Sequence, residues 1–171
     1  MEKLWAPWRM ELIARSEEQT GCIFCELPKQ KDDAKNLILG RTARTFAMLN
    51  KYPYNNGHLM VIPRSHVSDV HALAVEEYGE LCAMLRIALR LVGRAYNAQG
   101  ANLGMNIGRA AGAGIADHIH WHVVPRWAGD TNFMPVLADT KVMIEHLQAT
   151  FEKLRPLFDA EYRHGEPVSS W

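Results

Sequence analysis

Cysteine is scarce in this chain. Three residues, Cys22, Cys25 and Cys82, are too few for a disulfide framework and point to a reducing compartment. No apolar run is long enough to cross a bilayer, which argues against a membrane span. The opening residues Met1 to Trp8 lack the apolar core of a signal peptide. A cytoplasmic protein is therefore expected. Excess charge is absent too: 19 basic residues balance 19 acidic ones. No bulk field favours nucleic acid or a membrane surface, so neither is an expected partner. A polyanionic ligand would have to be held by local groups, chiefly histidines and backbone amides. Internal repeats and low-complexity segments are also missing. What remains is ordinary for one globular domain with a real core: 171 residues, 48% hydrophobic and 22% charged.

The most informative stretch is Asp117-His118-Ile119-His120-Trp121-His122-Val123-Val124-Pro125-Arg126. Alternation at period two predicts a half-buried strand. His118, His120 and His122 then line one face, and Ile119, Trp121 and Val123 the other, against a core. Pro125 cannot donate to a ladder and is expected to end the strand. Same-face neighbours sit roughly 7 Å apart, enough to flank a phosphate but wide for three ligands on one metal. Each buried imidazole needs partners, and an unpaired polar group costs on the order of 1–3 kcal/mol. Three satisfied core histidines in strict alternation are a poor account of this pattern. Two chemistries remain: a metal site, or a nucleophile with helpers.

The pattern His-φ-His-φ-His-φ-φ, with φ apolar, resembles that of the histidine triad proteins. Asn50, Gly57-His58 and Val61-Ile62-Pro63 lie upstream in that family's order, and Pro125-Arg126 follows as in many members. The resemblance runs from about Cys22 to Asn132. It implies an α+β fold, an antiparallel sheet with helices outside, and a homodimer.

The chain divides into an arm (1–20), one domain (21–158) and a polar tail (159–171). The arm carries Trp5, Pro7, Trp8 and Arg9 and is expected to pack on the body or on a second subunit. Cys22-Ile23-Phe24-Cys25 is a metal or redox motif, or a pair of metal-free buried thiols. The resemblance supplies two further zinc ligands, His66 of Pro63-Arg64-Ser65-His66 and His118, which implies structural zinc on Cys22, Cys25, His66 and His118. His71 is a rival ligand. Cys82 is expected to be a core thiol.

Strands are expected at 36–40, 45–50, 58–62 and 101–107. The turn-rich loop 51–57 pairs the second with the third, which lets Asn50 and His58 face the triad's cleft. The resemblance places the matching asparagine on the ribose and the matching histidine near the phosphate. Leu81, Met84, Leu85, Ala88, Val92 and Ala95 recur at helical spacing in 75–98, while Arg86, Arg90 and Arg94 form a solvated face. A second helix is expected over 141–158, with Pro156 near its end. The glycine- and alanine-rich loop 108–116 leads into the triad, and its backbone amides suit a phosphate. Many family members carry Gln and Ser or Thr there; this chain has Ala113 and Gly114 in a longer loop. Contacts would rest on Gly112, Gly114, Asn106 or Arg109. The loop and the tail Arg126 to Phe133 resemble bacterial dinucleoside tetraphosphate phosphorylase-type members.

The implied chemistry is nucleotidyl transfer. His120 attacks the α-phosphorus of a nucleoside polyphosphate, and the adduct passes to water or phosphate. His122, the loop amides and Asn106 stabilise the charge, His58 supports them, and His118 orients the group or binds zinc. Phe46 and Leu49 are expected to sandwich the base. Alternatives are a metal hydrolase with His118, His120 and His122 as ligands, a phosphoramidate hydrolase, and a non-catalytic nucleotide-binding protein.

Overall fold

A computed structural model describes residues 21–130, 145–163 and 166–167. The expected N-terminal arm and the first residues of the second helix lie outside the described residues. The chain forms a short helix α1 (Ile23–Glu26), strands β1 (Ile38–Arg41), β2 (Thr45–Leu49) and β3 (Leu59–Pro63), and a long helix α2 (Val75–Tyr96). Strands β4 (Gly100–Met105) and β5 (Trp121–Arg126) and helix α3 (Leu147–Glu161) follow. Two short strands, β6 (Tyr162–Arg163) and β7 (Glu166–Pro167), close a small hairpin. The main sheet is antiparallel throughout, with strand order β1-β2-β3-β5-β4. This is the α+β architecture expected.

Alternation along the strands sorts the core into two layers. Leu39, Ala47, Leu49, Leu59, Val61 and Val123 face the helices and pack on Leu81, Met84, Ala88 and Val92 of α2 and Phe151, Leu154 and Phe158 of α3. Ile38, Phe46, Met48, Met60 and Ile62 face the other way, where Phe24 of α1 covers them. His122 alternates with Val123 and shares this second face.

Several boundaries differ from expectation. Leu37 takes φ +58 and the ladder shifts between Ile38 and Gly40, so β1 starts late. Asn50 and His58 flank the β2–β3 loop rather than ending the strands, and β4 stops at Met105. Helix α2 ends at Tyr96, where Asn97 adopts the left-handed conformation at φ 47. Arg90 on its polar face reaches Glu161 of α3 at 2.6 Å. Pro156 lies inside α3, and the helix runs past the expected domain end to Glu161, with Tyr162 joining the core. Cys82 is half-buried beside Tyr78 rather than a core thiol.

Pro125 does not end β5, and the ladder explains why. The Arg126 carbonyl accepts from Gln99 N–H on the β4 side, so the Pro125 nitrogen points towards β3. Pairing with β3 has already stopped at Val123, so no donor is missed.

Candidate active site

The site is assembled where β5 emerges in the middle of the sheet. His118 and His120 precede the ladder and His122 is inside it, paired with Met60 of β3 and Gly104 of β4. The His120 and His122 ring centroids lie 4.9 Å apart, closer than the backbone spacing suggests. Phe24 packs against both buried members, with centroids 5.5 Å from His118 and 4.9 Å from His120.

Each triad histidine has a different partner. His118 Nε2 donates to the Pro63 carbonyl at 2.8 Å, which leaves its Nδ1 lone pair directed at the cysteines. His120 Nδ1 donates to the His118 carbonyl at 3.0 Å, so its lone pair sits on Nε2. His122 Nδ1 meets His58 Nε2 at 3.0 Å. The Tyr54 backbone N–H donates to His58 Nδ1 at 2.9 Å. An amide can only donate, so a neutral His58 carries its proton on Nε2 and donates to His122 Nδ1. His122 then keeps its own proton on Nε2. One face therefore presents an unprotonated nitrogen on His120 and an N–H on His122.

Burial pushes the His120 imidazole below its ordinary range, against the opposing pull of the His118 carbonyl. His118 is lowered for the same first reason, with the neighbouring His66 and His120 adding to it and the Pro63 carbonyl opposing.

His58 is held by a tight loop. Asn50 N–H donates to the His58 carbonyl at 3.1 Å, and His58 N–H donates to the Asn55 carbonyl at 3.1 Å. The Tyr54 ring stacks on His58 at 4.8 Å. A cleft of about 460 Å³ opens beside His122, lined by Tyr54, Asn102, Gly104, Asn106 and Arg126 among others.

The other expected residues fall at varied places. Asn106 donates to the Gly112 carbonyl at 3.4 Å, tying the start of the glycine-rich loop to its middle. Gly112 is exposed with φ 85, and Gly114 is exposed in the same loop. The Asn50 side-chain oxygen accepts from Tyr52 N–H at 2.8 Å, the turn-capping geometry. Phe46 lies on the triad's face but is fully enclosed by Phe24 and its strand neighbours. Leu49 is a correction. It sits in the helix-side core with no exposure, on the opposite face of the sheet from the triad, because its alternation follows Ala47.

Cys22, Cys25, His66 and His118 converge, with their ligand atoms all within 4.8 Å of one another. Cys22 caps α1, whose single turn points both thiols one way. Cys22 Sγ lies 3.3 Å and Cys25 Sγ 3.6 Å from His118 Nδ1, and Cys25 Sγ lies 3.4 Å from His66 Nδ1. A tetrahedral zinc with ordinary bond lengths separates sulfur and nitrogen ligands by about 3.5 Å. The four side chains fit such an ion, and the Pro63 carbonyl on His118 is the outer partner such sites use. His71 is exposed on a separate turn outside this group. Among the described residues, the group that could hold a metal contains His118 but neither His120 nor His122, so the alternative of one catalytic ion held by all three gains no support.

The residue pattern did not single out Tyr54, Asn55, Asp130 or Phe24. The dense turn composition between Asn50 and His58 was the one signal near two of them.

The sequence profile of the HIT domain matches residues 31–129. The chain belongs to the HIT family. It is 38% identical over 158 residues to the "AP-4-A phosphorylase" of Mycobacterium tuberculosis, covering 88% of this chain and 80% of that one. It is 33% identical over 105 residues to the "Adenosine 5'-monophosphoramidase hnt1" of Schizosaccharomyces pombe, covering 61% and 74%. Among solved structures, a zinc-bound histidine triad family protein from Mycobacterium smegmatis superposes with TM-score 0.65 at 26% identity, covering 81% of this chain and 93% of that one.

Proposed function

We propose that this HIT-family enzyme cleaves a dinucleoside polyphosphate, such as diadenosine tetraphosphate, at an α-phosphate through a covalent nucleotidyl-His120. The observation that carries the reading is the His120 Nδ1 to His118 carbonyl bond of 3.0 Å. It fixes the tautomer with the lone pair on Nε2, and burial keeps that ring neutral.

In this reading His120 Nε2 forms a P–N bond and the P–O bond to the leaving phosphate breaks. His122 Nε2–H donates to the oxygens that gain charge, and His58 holds His122 in that tautomer. The exposed loop with Gly112 and Gly114 contributes backbone amides, and Asn106 holds the loop. Inorganic phosphate or water then attacks phosphorus and the P–N bond breaks, giving a nucleoside diphosphate or monophosphate. Asn50 serves the ribose, while Phe46, which has no exposed surface, supports the triad's face from within the core and does not reach the base. Similarity to the Mycobacterium tuberculosis phosphorylase supports polyphosphate as substrate and phosphate as acceptor. Similarity to the Schizosaccharomyces pombe phosphoramidase supports a second reading, hydrolysis of a nucleoside phosphoramidate by the same histidines.

Zinc on Cys22, Cys25, His66 and His118 is structural in this reading. It would supply a cross-link between α1 and the first triad histidine, with no open position for substrate. A homodimer is supported by the β4 edge, which no other described strand pairs, and by exposed Leu103 and Leu89 near it. No described helix is long and apolar enough to cross a membrane. Three free thiols suit a reducing cytoplasm.

Product analysis of diadenosine tetraphosphate, with and without inorganic phosphate, tests this function. ADP plus ATP only with phosphate is the expected result, and His120→Asn is expected to abolish it. AMP plus ATP regardless of phosphate makes the enzyme a hydrolase. No product from the intact protein sinks the polyphosphate assignment in favour of phosphoramidates or binding alone.

A further inference from the structure

The segment after the triad strand folds back onto the loop that carries Tyr54. Asp130 receives Arg126 Nε at 2.5 Å, a second Arg126 nitrogen at 2.8 Å, and the Trp127 N–H at 3.3 Å. The same carboxylate accepts from Asn55 Nδ2 at 3.0 Å. Asn55 Nδ2 also reaches the Pro125 carbonyl at 3.2 Å. Asn55 is therefore gripped from β5 and from the turn beyond it. Its own carbonyl receives His58 N–H at 3.1 Å. Its neighbour Tyr54 provides the amide that donates to His58 Nδ1 and the ring that stacks on His58.

We propose that Asn55, clamped by the Asp130 carboxylate and the Pro125 carbonyl, is a positioning residue that sets the tautomer of His58 and, through it, of His122. The reasoning follows the protons. A firmly placed Tyr54 amide forbids a proton on His58 Nδ1. The His58 proton then lies on Nε2, His122 Nδ1 must accept it, and His122 Nε2 must carry the N–H that faces the cleft. If the loop loosens, His58 can place its proton on Nδ1. The pair then reverses: His122 donates from Nδ1, and its Nε2 offers a lone pair where a donor is needed. Arg126 takes part only as the partner that holds Asp130 in place. With its charge neutralised by a bidentate contact, it is a poor phosphate ligand.

This inference rests on the reading of His120 and His122 as nucleophile and donor, but its first readout does not. In protein carrying 15N-labelled histidine, nitrogen shifts report which ring nitrogen holds the proton. Wild-type protein is expected to show His58 and His122 protonated on Nε2. Asn55→Asp keeps the size, removes the donor and sets two carboxylates together. It is expected to move both rings towards the other tautomer. Asn55→Ser is milder and is expected to move them part of the way. With turnover established, kcat is expected to fall roughly tenfold or more with KM little changed, as for loss of a proton donor in the transition state. Unchanged tautomers in either folded variant overturn the proposal, whatever the activity. Tautomers that shift in a protein whose wild type turns over no nucleotide leave the clamp standing and overturn the enzymatic reading instead.

Discussion

Asp130 shows how one side chain ties the end of the triad strand to the loop opposite. The Arg126 guanidinium holds its carboxyl well below the usual carboxylate range, with help from the Trp127 amide and Asn55 and against some desolvation. A depressed carboxyl pKa stabilises the fold above the unfolded value of about 3.9, and that contribution is lost as pH falls through the folded value. Thermal melts of wild type and Asp130→Asn are therefore expected to differ by a steady amount above about pH 5 and to draw together progressively as pH falls from about 4 towards the depressed folded value. A gap that stays constant across this range would mean that the charge of Asp130 contributes nothing. At this scale the sequence was informative about identity and poor about partners. The alternating histidines and the Cys-x-x-Cys named the residues that converge. The groups that fix their tautomers are backbone atoms: the Tyr54 amide and the carbonyls of His118 and Pro63. Every residue carries such atoms, so no residue pattern marks them. Leu49 failed as a base contact because apolarity does not say which face of a strand a side chain takes until register is known.

The β2–β3 loop is the element on which the donor half of the site depends, and Gly57 lets it turn. Gly57 has φ +76, and a Cβ there would lie 3.0 Å from the Tyr96 ring of α2 and 3.3 Å from Pro125 of β5. Gly57→Ala combines a strained backbone with overpacking against two elements. It is expected to destabilise the protein by about 2–4 kcal/mol in chemical denaturation. It should also lower turnover, because His58 is the next residue. A loss of less than about 0.5 kcal/mol, the size of an ordinary surface change, would show that the loop relaxes freely. Strand and helix periodicities were legible because hydrophobic alternation reports burial directly. Element ends were less so. Pro125 stayed inside β5 because its nitrogen faces a side where the ladder had already stopped. Pro156 stayed inside α3 because it and Glu152, whose carbonyl loses its donor, both lie on the exposed face.

The described residues are organised around one main sheet with two unlike faces. Two helices cover one face with a large apolar layer. On the other, a single helical turn, Phe24 and the Cys/His group cover a smaller layer and the triad. A bound zinc would join α1 to His118 across 96 positions of sequence, and the carbonyl of that same His118 orients His120. Metal binding therefore ought to couple to both stability and chemistry. A ligand present at a hundredfold its dissociation constant stabilises the folded state by about 2.7 kcal/mol. For a chain of this size that corresponds to roughly 5–10 °C in Tm. Chelation is expected to lower Tm by that amount and to reduce turnover without a catalytic metal being lost. Re-addition of zinc should restore both. Cys25→Ser should melt near the chelated wild type and respond weakly to chelator, since three ligands grip the ion poorly. Purified protein without zinc whose Tm is indifferent to chelator would leave this face held by packing and thiol–imidazole hydrogen bonds alone. In that case Cys25→Ser should cost little, because a hydroxyl can still bond His66.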